Sequence, residues 1–355
     1  MKVLSIVGAR PQFIKAFAVS RELRKSHEEI LVHTGQHYDE ELSDVFFEEL
    51  GIPEPDYNLG VGSSSHGTQT AAMLEGIEGL IETEAPDVVL LYGDTNSTLA
   101  GAIAAAKVDP IVAHVEAGLR SHNREMPEEI NRVLTDHASD LLFAPSDSAA
   151  ETLAEEGITE GVHVTGDVMY DAILWARDVA KEESDVLTQL GVEEGEFFLS
   201  TVHRASNTDE RDRLEAILDG LSAAPRDVVL PVHPRTEDRL KSYDLWHRAT
   251  SELEVIDPVG YLDFVRLLDG AERVVTDSGG VQKEAFYLDT PCVTLRDETE
   301  WKETVTSGWN KLVGVSAPEI VKFLNKSWSP GRKGDPYGSG DASVKIAKIL
   351  ADYNE

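Results

Sequence analysis

The sequence holds one cysteine, Cys292, in 355 residues. That excludes an intrachain disulfide framework and any cysteine-rich metal site. Positive charge is scarce too: 32 Lys and Arg stand against 65 Asp and Glu, a formal net charge of −33. A nucleic-acid binder needs a basic face, so that class is disfavoured. No apolar run is long enough to span a bilayer, and no basic segment followed by an apolar one opens the chain. Neither a membrane partner nor a signal peptide is expected, and the chain reads as cytoplasmic. There is no short repeat and no low-complexity tract.

The acid is spread along the chain and reads as solvated surface. Self-repulsion at this density opposes a compact state in dilute buffer, and salt screens it. The economical reading is a protein of a halophile's salt-rich cytoplasm; an acidic partner-binding face, the alternative, would concentrate the charge.

Hydrophobic residues make up 41% of the chain, enough for two α/β cores at this length. Short apolar runs alternate with helix-length segments. Strands are expected at Val3–Val7, Ile30–His33, Val88–Tyr92, Ile111–Val115 and Leu141–Ala144, with amphipathic helices at Pro11–Lys25, Thr68–Glu82 and Thr95–Lys107. A long helical stretch, Tyr170–Leu190, precedes a second set of strands at Phe197–Val202, Val228–Val232, Val255–Ile256, Arg273–Thr276 and Cys292–Leu295. This rhythm predicts two doubly wound parallel sheets, divided near Gly166–Asp171. One domain would take residues 1–167 and 341–355, the other residues 168–340. Ser329–Gly340 reads as a loop, and Ala342–Tyr353 as a closing helix able to return to the first domain.

Ligands of open parallel sheets sit at the strands' carboxyl ends. After the first strand, Gly8-Ala9-Arg10-Pro11-Gln12-Phe13-Ile14-Lys15 puts two cations beside a helix start, where free N–H groups favour anions. An ordinary turn with two surface cations is the plain alternative. The segment is not G-x-G-x-x-G, so it supports no dinucleotide site. Asp94 and Glu116 follow two further strands, and Met126-Pro127-Glu128-Glu129 opens another helix. Any one of these acids has a structural reading as a cap or an ion-pair member. Three at or just beyond strand ends of one sheet point to acid–base chemistry. In the second half, His203 and His233 each follow a strand. Thr276-Asp277-Ser278-Gly279-Gly280 joins a strand to a helix with bare backbone N–H groups that phosphate oxygens can approach, and Glu284, further along that helix, is placed for ribose hydroxyls.

Taken together, GARPQFIK, HTGQHYD, GDTNSTLAGA, HVEAGLR, MPEEINR, HRASN, PVHPR, TDSGGVQKEA and RDETEW resemble the non-hydrolysing UDP-N-acetylglucosamine 2-epimerases of bacteria and archaea, in that family's order and spacing over nearly the whole chain. The resemblance implies a GT-B architecture of two Rossmann-like domains, a homodimer, and a UDP-sugar in an interdomain cleft, with no metal or nicotinamide cofactor. It implies elimination of UDP across C1–C2 to a 2-acetamidoglucal and re-addition with the C2 proton on the other face. Asp94, Glu116 and Glu128 would be the acid–base carboxylates, and His203 would assist the departing UDP. Arg10 and Lys15 would hold the diphosphate end, Ser278, Gly279 and Gly280 a phosphate, and Glu284 the ribose.

Some residues depart from the commonest members. Ser206 stands where the short HR-x-E-N signature carries Glu, and Trp301-Lys302 interrupts the T-E-R-P-E stretch. Gln12, Lys283 and Trp301 resemble the subgroup acting on UDP-2,3-diacetamido-2,3-dideoxy-glucuronic acid. Lys283 or Lys302 would suit a C6 carboxylate, with a surface place for either as the equal alternative. The segment Thr68–Glu82 lacks the arginine that anchors substrate activation in bacterial members. The competing readings are a GT-B glycosyltransferase and a non-catalytic nucleotide-sugar binding protein.

The acid excess carries a prediction. The thermal midpoint and activity should rise as KCl goes from dilute to about 1 M, where the Debye length falls to about 3 Å. A midpoint independent of salt would show that self-repulsion does not govern stability.

Overall fold

The computed structural model describes residues 1–36, 54–325, 328 and 330–353, with the Arg10 side chain left outside that description. The chain divides into two units, one of Met1–Ala172 with Asp335–Glu355 and one of Ile173–Gly334. The first unit runs β1 (Lys2–Val7), α1 (Arg10–Leu23), β2 (Glu28–His33), β3 (Tyr57–Asn58), α2 (His66–Glu84), β4 (Val88–Tyr92), α3 (Asn96–Ala105), β5 (Ile111–Val115), α4 (Pro127–Ala138), β6 (Leu141–Ala144), α5 (Asp147–Glu155), β7 (Val162–Val164) and the start of α6 (Val168–Glu183). The second runs α7 (Val186–Leu190), β8 (Phe198–Thr201), α8 (Ala205–Thr208), α9 (Arg211–Ser222), β9 (Val228–Pro231), α10 (Pro234–Ser242), α11 (Trp246–Glu252), β10 (Glu254–Ile256), α12 (Tyr261–Gly270), β11 (Arg273–Thr276), α13 (Gly279–Tyr287), β12 (Cys292–Thr294), α14 (Lys302–Thr306), β13 (Asn310–Leu312) and α15 (Ala317–Asn325). Then α16 (Ala342–Asp352) belongs to the first unit again.

Among the described residues, the sheets are ordered β3-β2-β1-β4-β5-β6-β7 and β10-β9-β8-β11-β12-β13, and every pairing is parallel. The central strands are covered on both faces, which is why they read as continuous apolar runs: Val88–Tyr92 is buried throughout. On α2, Met73, Ile77 and Ile81 recur every four residues and face this sheet's core. The second core gathers Phe198, Leu230 and Val275 from the strands and Leu214, Ile217 and Leu221 from α9. The closing helix does return to the first unit. Asp171 caps it, accepting from Ala342 N at 3.1 Å and Ser343 N at 2.8 Å, and His27 Nε2 lies 3.1 Å from the Ala347 carbonyl.

The order of each sheet reverses once, between β1 and β4 and between β8 and β11. At such a switch point the connections leave in opposite directions and open a crevice at the carboxyl ends. The expected strands are present within a residue or two. The expected single stretch Tyr170–Leu190 is instead two helices, α6 and α7, broken at Ser184-Asp185. Ser184 donates its hydroxyl to Asp263 at 2.5 Å and accepts from Val186 N at 3.4 Å, the latter a local side-chain bond of the kind that competes with helix continuation.

Candidate active site

Gly8 and Asp94 leave the two strands that flank the first switch point, β1 and β4. Gln12 joins those exits. Its Oε1 accepts from Gly8 N at 2.8 Å and Ala9 N at 3.0 Å, while Nε2 donates to the Tyr92 carbonyl at 2.6 Å and Thr98 Oγ1 at 2.9 Å. An amide serves both sides; an ionised carboxylate would have no proton for Tyr92. Gln12 is buried in this role, so it supports backbone and does not read the sugar.

Glu116 follows β5 with φ +75°, a conformation uncommon for a residue with a Cβ. Its carboxylate pairs with Lys15 from α1. Burial works against the Lys15 charge, but Glu116, with Asp94 and Asp167 behind it, raises its pKa on balance. Asp94 pairs with Arg132 of α4 at 2.5 Å, and its backbone carbonyl accepts from Asn131 Nδ2 at 3.0 Å. Burial pushes the Asp94 pKa up; Arg132 and Lys15 oppose this, and Glu116 and Glu128 add to it. A half-buried carboxyl whose pKa is raised beside charged partners is a candidate for proton exchange.

Of the two acids opening α4, Glu128 is exposed and close enough to act on Asp94. Glu129 is buried and accepts from Ser121 N at 2.8 Å, Ser121 Oγ at 2.9 Å and His122 N at 2.9 Å. Arg10 opens α1, with its side chain outside the described residues, as are His37–Asp39 of HTGQHYD.

In the second unit, His203 leaves β8 and Asp277 leaves β11, on either side of that sheet's switch point. Asp277 is fully buried and organises the turn opposite. It accepts from His203 N at 3.1 Å, Arg204 N at 3.0 Å and Asn207 Nδ2 at 3.1 Å, and lies 3.2 Å from His203 Nδ1. Burial alone would raise its pKa; these donors hold it below the usual aspartate value. His233 stands 5.7 Å from His203, ring to ring, and burial, with His203 and Arg235, lowers its pKa.

Ser278 caps α13 with its hydroxyl near Val281 N; Gly279 is half-buried and Gly280 exposed at the helix start. Glu284 is half-buried on the same helix. The two lysines that would suit a C6 carboxylate differ in surroundings. Lys283 is buried, its Nζ 4.1 Å from the centre of the Trp301 ring, and Lys302 is exposed at the start of α14. Lys283 lies one helical turn beyond Gly279 on α13, and the same Trp301 donates its indole N–H to the Gly279 carbonyl at 2.9 Å.

Sequence reading missed Arg132, Asn131, Asp277 and His114 as site-forming residues. His114 was visible as the one polar residue of an otherwise apolar strand, Ile111-Val112-Ala113-His114-Val115.

Two parallel sheets with strand-end carboxylates in one and a Ser-Gly-Gly helix start in the other define a GT-B-type α/β protein of the nucleotide-sugar class. Residues 21–351 match the UDP-N-acetylglucosamine 2-epimerase family model, and the chain belongs to that family. It is 50% identical over 355 residues to a UDP-N-acetylglucosamine 2-epimerase homolog of Methanococcus maripaludis, covering 99% of each chain. It is 48% identical over 363 residues to the UDP-2,3-diacetamido-2,3-dideoxy-D-glucuronate 2-epimerase of Pseudomonas aeruginosa, again covering 99% of each. The structure of UDP-GlcNAc 2-epimerase from Methanocaldococcus jannaschii superposes with a TM-score of 0.89 at 43% identity, covering 99% of this chain and 100% of that one. A second structure of that enzyme holds UDP-GlcNAc and UDP. The protein is therefore an isomerase, not a glycosyltransferase or a non-catalytic binder.

Asp277 carries a prediction. A carboxylate whose folded pKa is depressed contributes stability that is complete above its unfolded value and is lost as pH falls through the folded one. The thermal midpoint should hold down to about pH 5 and drop below about pH 4. In Asp277→Asn that acid limb should be shallower, from a lower plateau; an unchanged limb would show that Asp277 is not a source of the loss.

Proposed function

We propose that this protein interconverts UDP-N-acetylglucosamine and UDP-N-acetylmannosamine. The C2 proton passes to a carboxylate as the C1–O bond to UDP breaks, with its electron pair leaving on the diphosphate. UDP then adds back to the 2-acetamidoglucal while C2 is reprotonated on the opposite face. The observation that carries this reading is the pair of carboxylates, Asp94 and Glu116, each matched to its own cation and held at the ends of the adjacent strands β4 and β5.

In this reading Asp94, Glu116 and Glu128 are the acid–base residues. Lys15 pairs with Glu116 and, with Arg10, attracts the diphosphate. His203, oriented by Asp277, stabilises the departing UDP. Ser278, Gly279 and Gly280 take a phosphate through the start of α13, and Glu284 takes the ribose. The glucal must be shielded from water while UDP is detached.

We also take the protein to act in the cytoplasm, in polysaccharide precursor synthesis, as a homodimer. On α4 the inward residues are polar, Glu129, Asn131, Thr135 and Asp136, while Ile130, Val133 and Leu134 lie towards the surface, which suits pairing with a second copy; a sedimentation mass of one chain would remove that part.

A second reading has UDP-2,3-diacetamido-2,3-dideoxy-glucuronate as substrate, supported by the identity to the Pseudomonas aeruginosa enzyme. Against it, Lys283 packs on Trp301. A C6 carboxylate without a cation is strongly disfavoured in a buried site. The ratio of kcat/KM on the two substrates decides between them, and a preference for the uronate would overturn the choice of sugar. Changing Asp94, Glu116 or Glu128 to the amide should each cost about 10²-fold or more in turnover with UDP binding retained. Normal turnover in all three would remove the acid–base assignment.

A further inference from the structure

His114 lies on β5 with no exposed surface, two residues before Glu116. Its Nδ1 is 2.7 Å from Asp136 Oδ1, on α4, and its Nε2 is 2.7 Å from the Gly93 carbonyl, in the residue before Asp94. We propose that His114 is a positioning residue for the acid–base carboxylates, its ring doubly protonated and pinning the exits of β4 and β5 and the helix α4 to one another. The inference rests on the reading that Asp94, Glu116 and Glu128 perform the acid–base chemistry.

The argument begins with proton counting. A carbonyl oxygen only accepts, and so does an ionised carboxylate. A neutral imidazole has one N–H and one bare nitrogen, so it can satisfy one of these two partners and sets a lone pair against the other. Both contacts are hydrogen bonds only when both nitrogens carry protons. Asp136 does not supply the missing proton. Its Oδ2 already accepts from Gly118 N at 3.1 Å and Arg120 Nη1 at 2.7 Å; burial alone would raise its pKa, and His114 and Arg120 hold it below the usual aspartate value.

Arg120 is shared. It holds the exposed Glu156 through two bonds, of 2.8 and 2.7 Å, besides its bond to Asp136, and Glu156 also lies 3.5 Å from His137 Nε2. Asp136 has no exposed side-chain surface, so its charge depends on Arg120 and on the His114 ring.

The consequence is positional. Gly93 and Glu116 are both left-handed, at φ +64° and +75°, and Gly93 N donates to the Val115 carbonyl at 3.1 Å. The bond from His114 to Gly93 O stops the peptide that leads into Asp94 from turning over. The bond to Asp136 fixes α4, whose first turn carries Glu128 and whose Asn131 holds the Asp94 carbonyl. One ring therefore sets where three acids emerge.

The test uses the whole protein with ¹⁵N-labelled histidine, the His114 signals being assigned by their loss in His114→Gln. At pH 7.5, without substrate, both ring nitrogens of His114 should show the shifts of protonated imidazole nitrogens. A bare nitrogen on that ring would overturn the proposal. In His114→Gln, one amide cannot bridge both partners. Turnover per UDP-binding molecule should fall on the order of 10²-fold, as for a misplaced reacting group, while KM stays within about twofold. A lower thermal midpoint with unchanged turnover per folded molecule would reduce His114 to a structural residue. If the Gln variant does not fold, Asp136→Asn serves instead. That variant should leave one bare nitrogen on the ring and lower turnover in the same way, and full turnover with a neutral ring would overturn the proposal. Because the proton count needs no activity, a wild-type protein inactive on every UDP-amino sugar would remove the proposed function without touching the ring's protonation.

Discussion

Buried negative charge must be compensated, and at the carboxyl edge of the first sheet that requirement organises the rest. An unpaired carboxylate out of water is strongly disfavoured. Lys15 answers Glu116, Arg132 answers Asp94, and Arg120 with His114 answers Asp136. In a chain with half as many basic as acidic residues, these cations are committed to one edge. Each pair also crosses between elements: Lys15 comes from α1, Arg132 from α4 and Arg120 from the turn between β5 and α4. Charge compensation and the positioning of the strand ends are thus one interaction.

The same device appears in the second unit with a different purpose. There a single buried carboxylate, Asp277, collects the backbone N–H groups of His203 and Arg204 and the Asn207 amide. The Asn207 amide also donates to the Leu295 carbonyl, so the exits of β8, β11 and β12 are joined through it. His203 remains part-exposed at the rim of this network, oriented but not consumed by it. In the proposed reading, the first unit supplies the groups that exchange protons. The second offers the backbone donors at the start of α13 to a phosphate. That division of labour fits a reaction in which a proton and a diphosphate leave one sugar together.

The strands were legible because their physics is local: Val88–Tyr92 and Ile111–Val115 are unbroken apolar runs, and a strand covered on both faces needs nothing else. The edge strands β3, β7 and β13 were not. Tyr57-Asn58 and Asn310-Lys311-Leu312 are too short and polar to stand out, and become strands only because a partner strand offers its free N–H and C=O groups. The positions of Asp94, Glu116 and His203 just beyond strands followed from the same runs. Their partners did not, since Lys15 meets Glu116 across 101 residues and His203 meets Asp277 across 74. Gln12 and Lys283 show the limit most clearly. Both stood out by residue type as marks of the diacetamido-uronate subgroup, yet one is held by backbone groups at a turn and the other packs on a tryptophan face. Nothing in a residue's type says which way it points once a turn with positive φ, such as that at Glu116, redirects the chain.

The central claim is that strand-end carboxylates move the C2 proton of a UDP-linked acetamido sugar. Incubation of UDP-N-acetylglucosamine with the protein in D₂O, followed by proton NMR, tests it most directly. The account predicts that the C2 hydrogen is replaced by deuterium in the inverted product, and in recovered substrate as the reaction approaches equilibrium. Inversion that keeps the original hydrogen at C2 would contradict it, because no proton would then have passed through Asp94, Glu116 or Glu128.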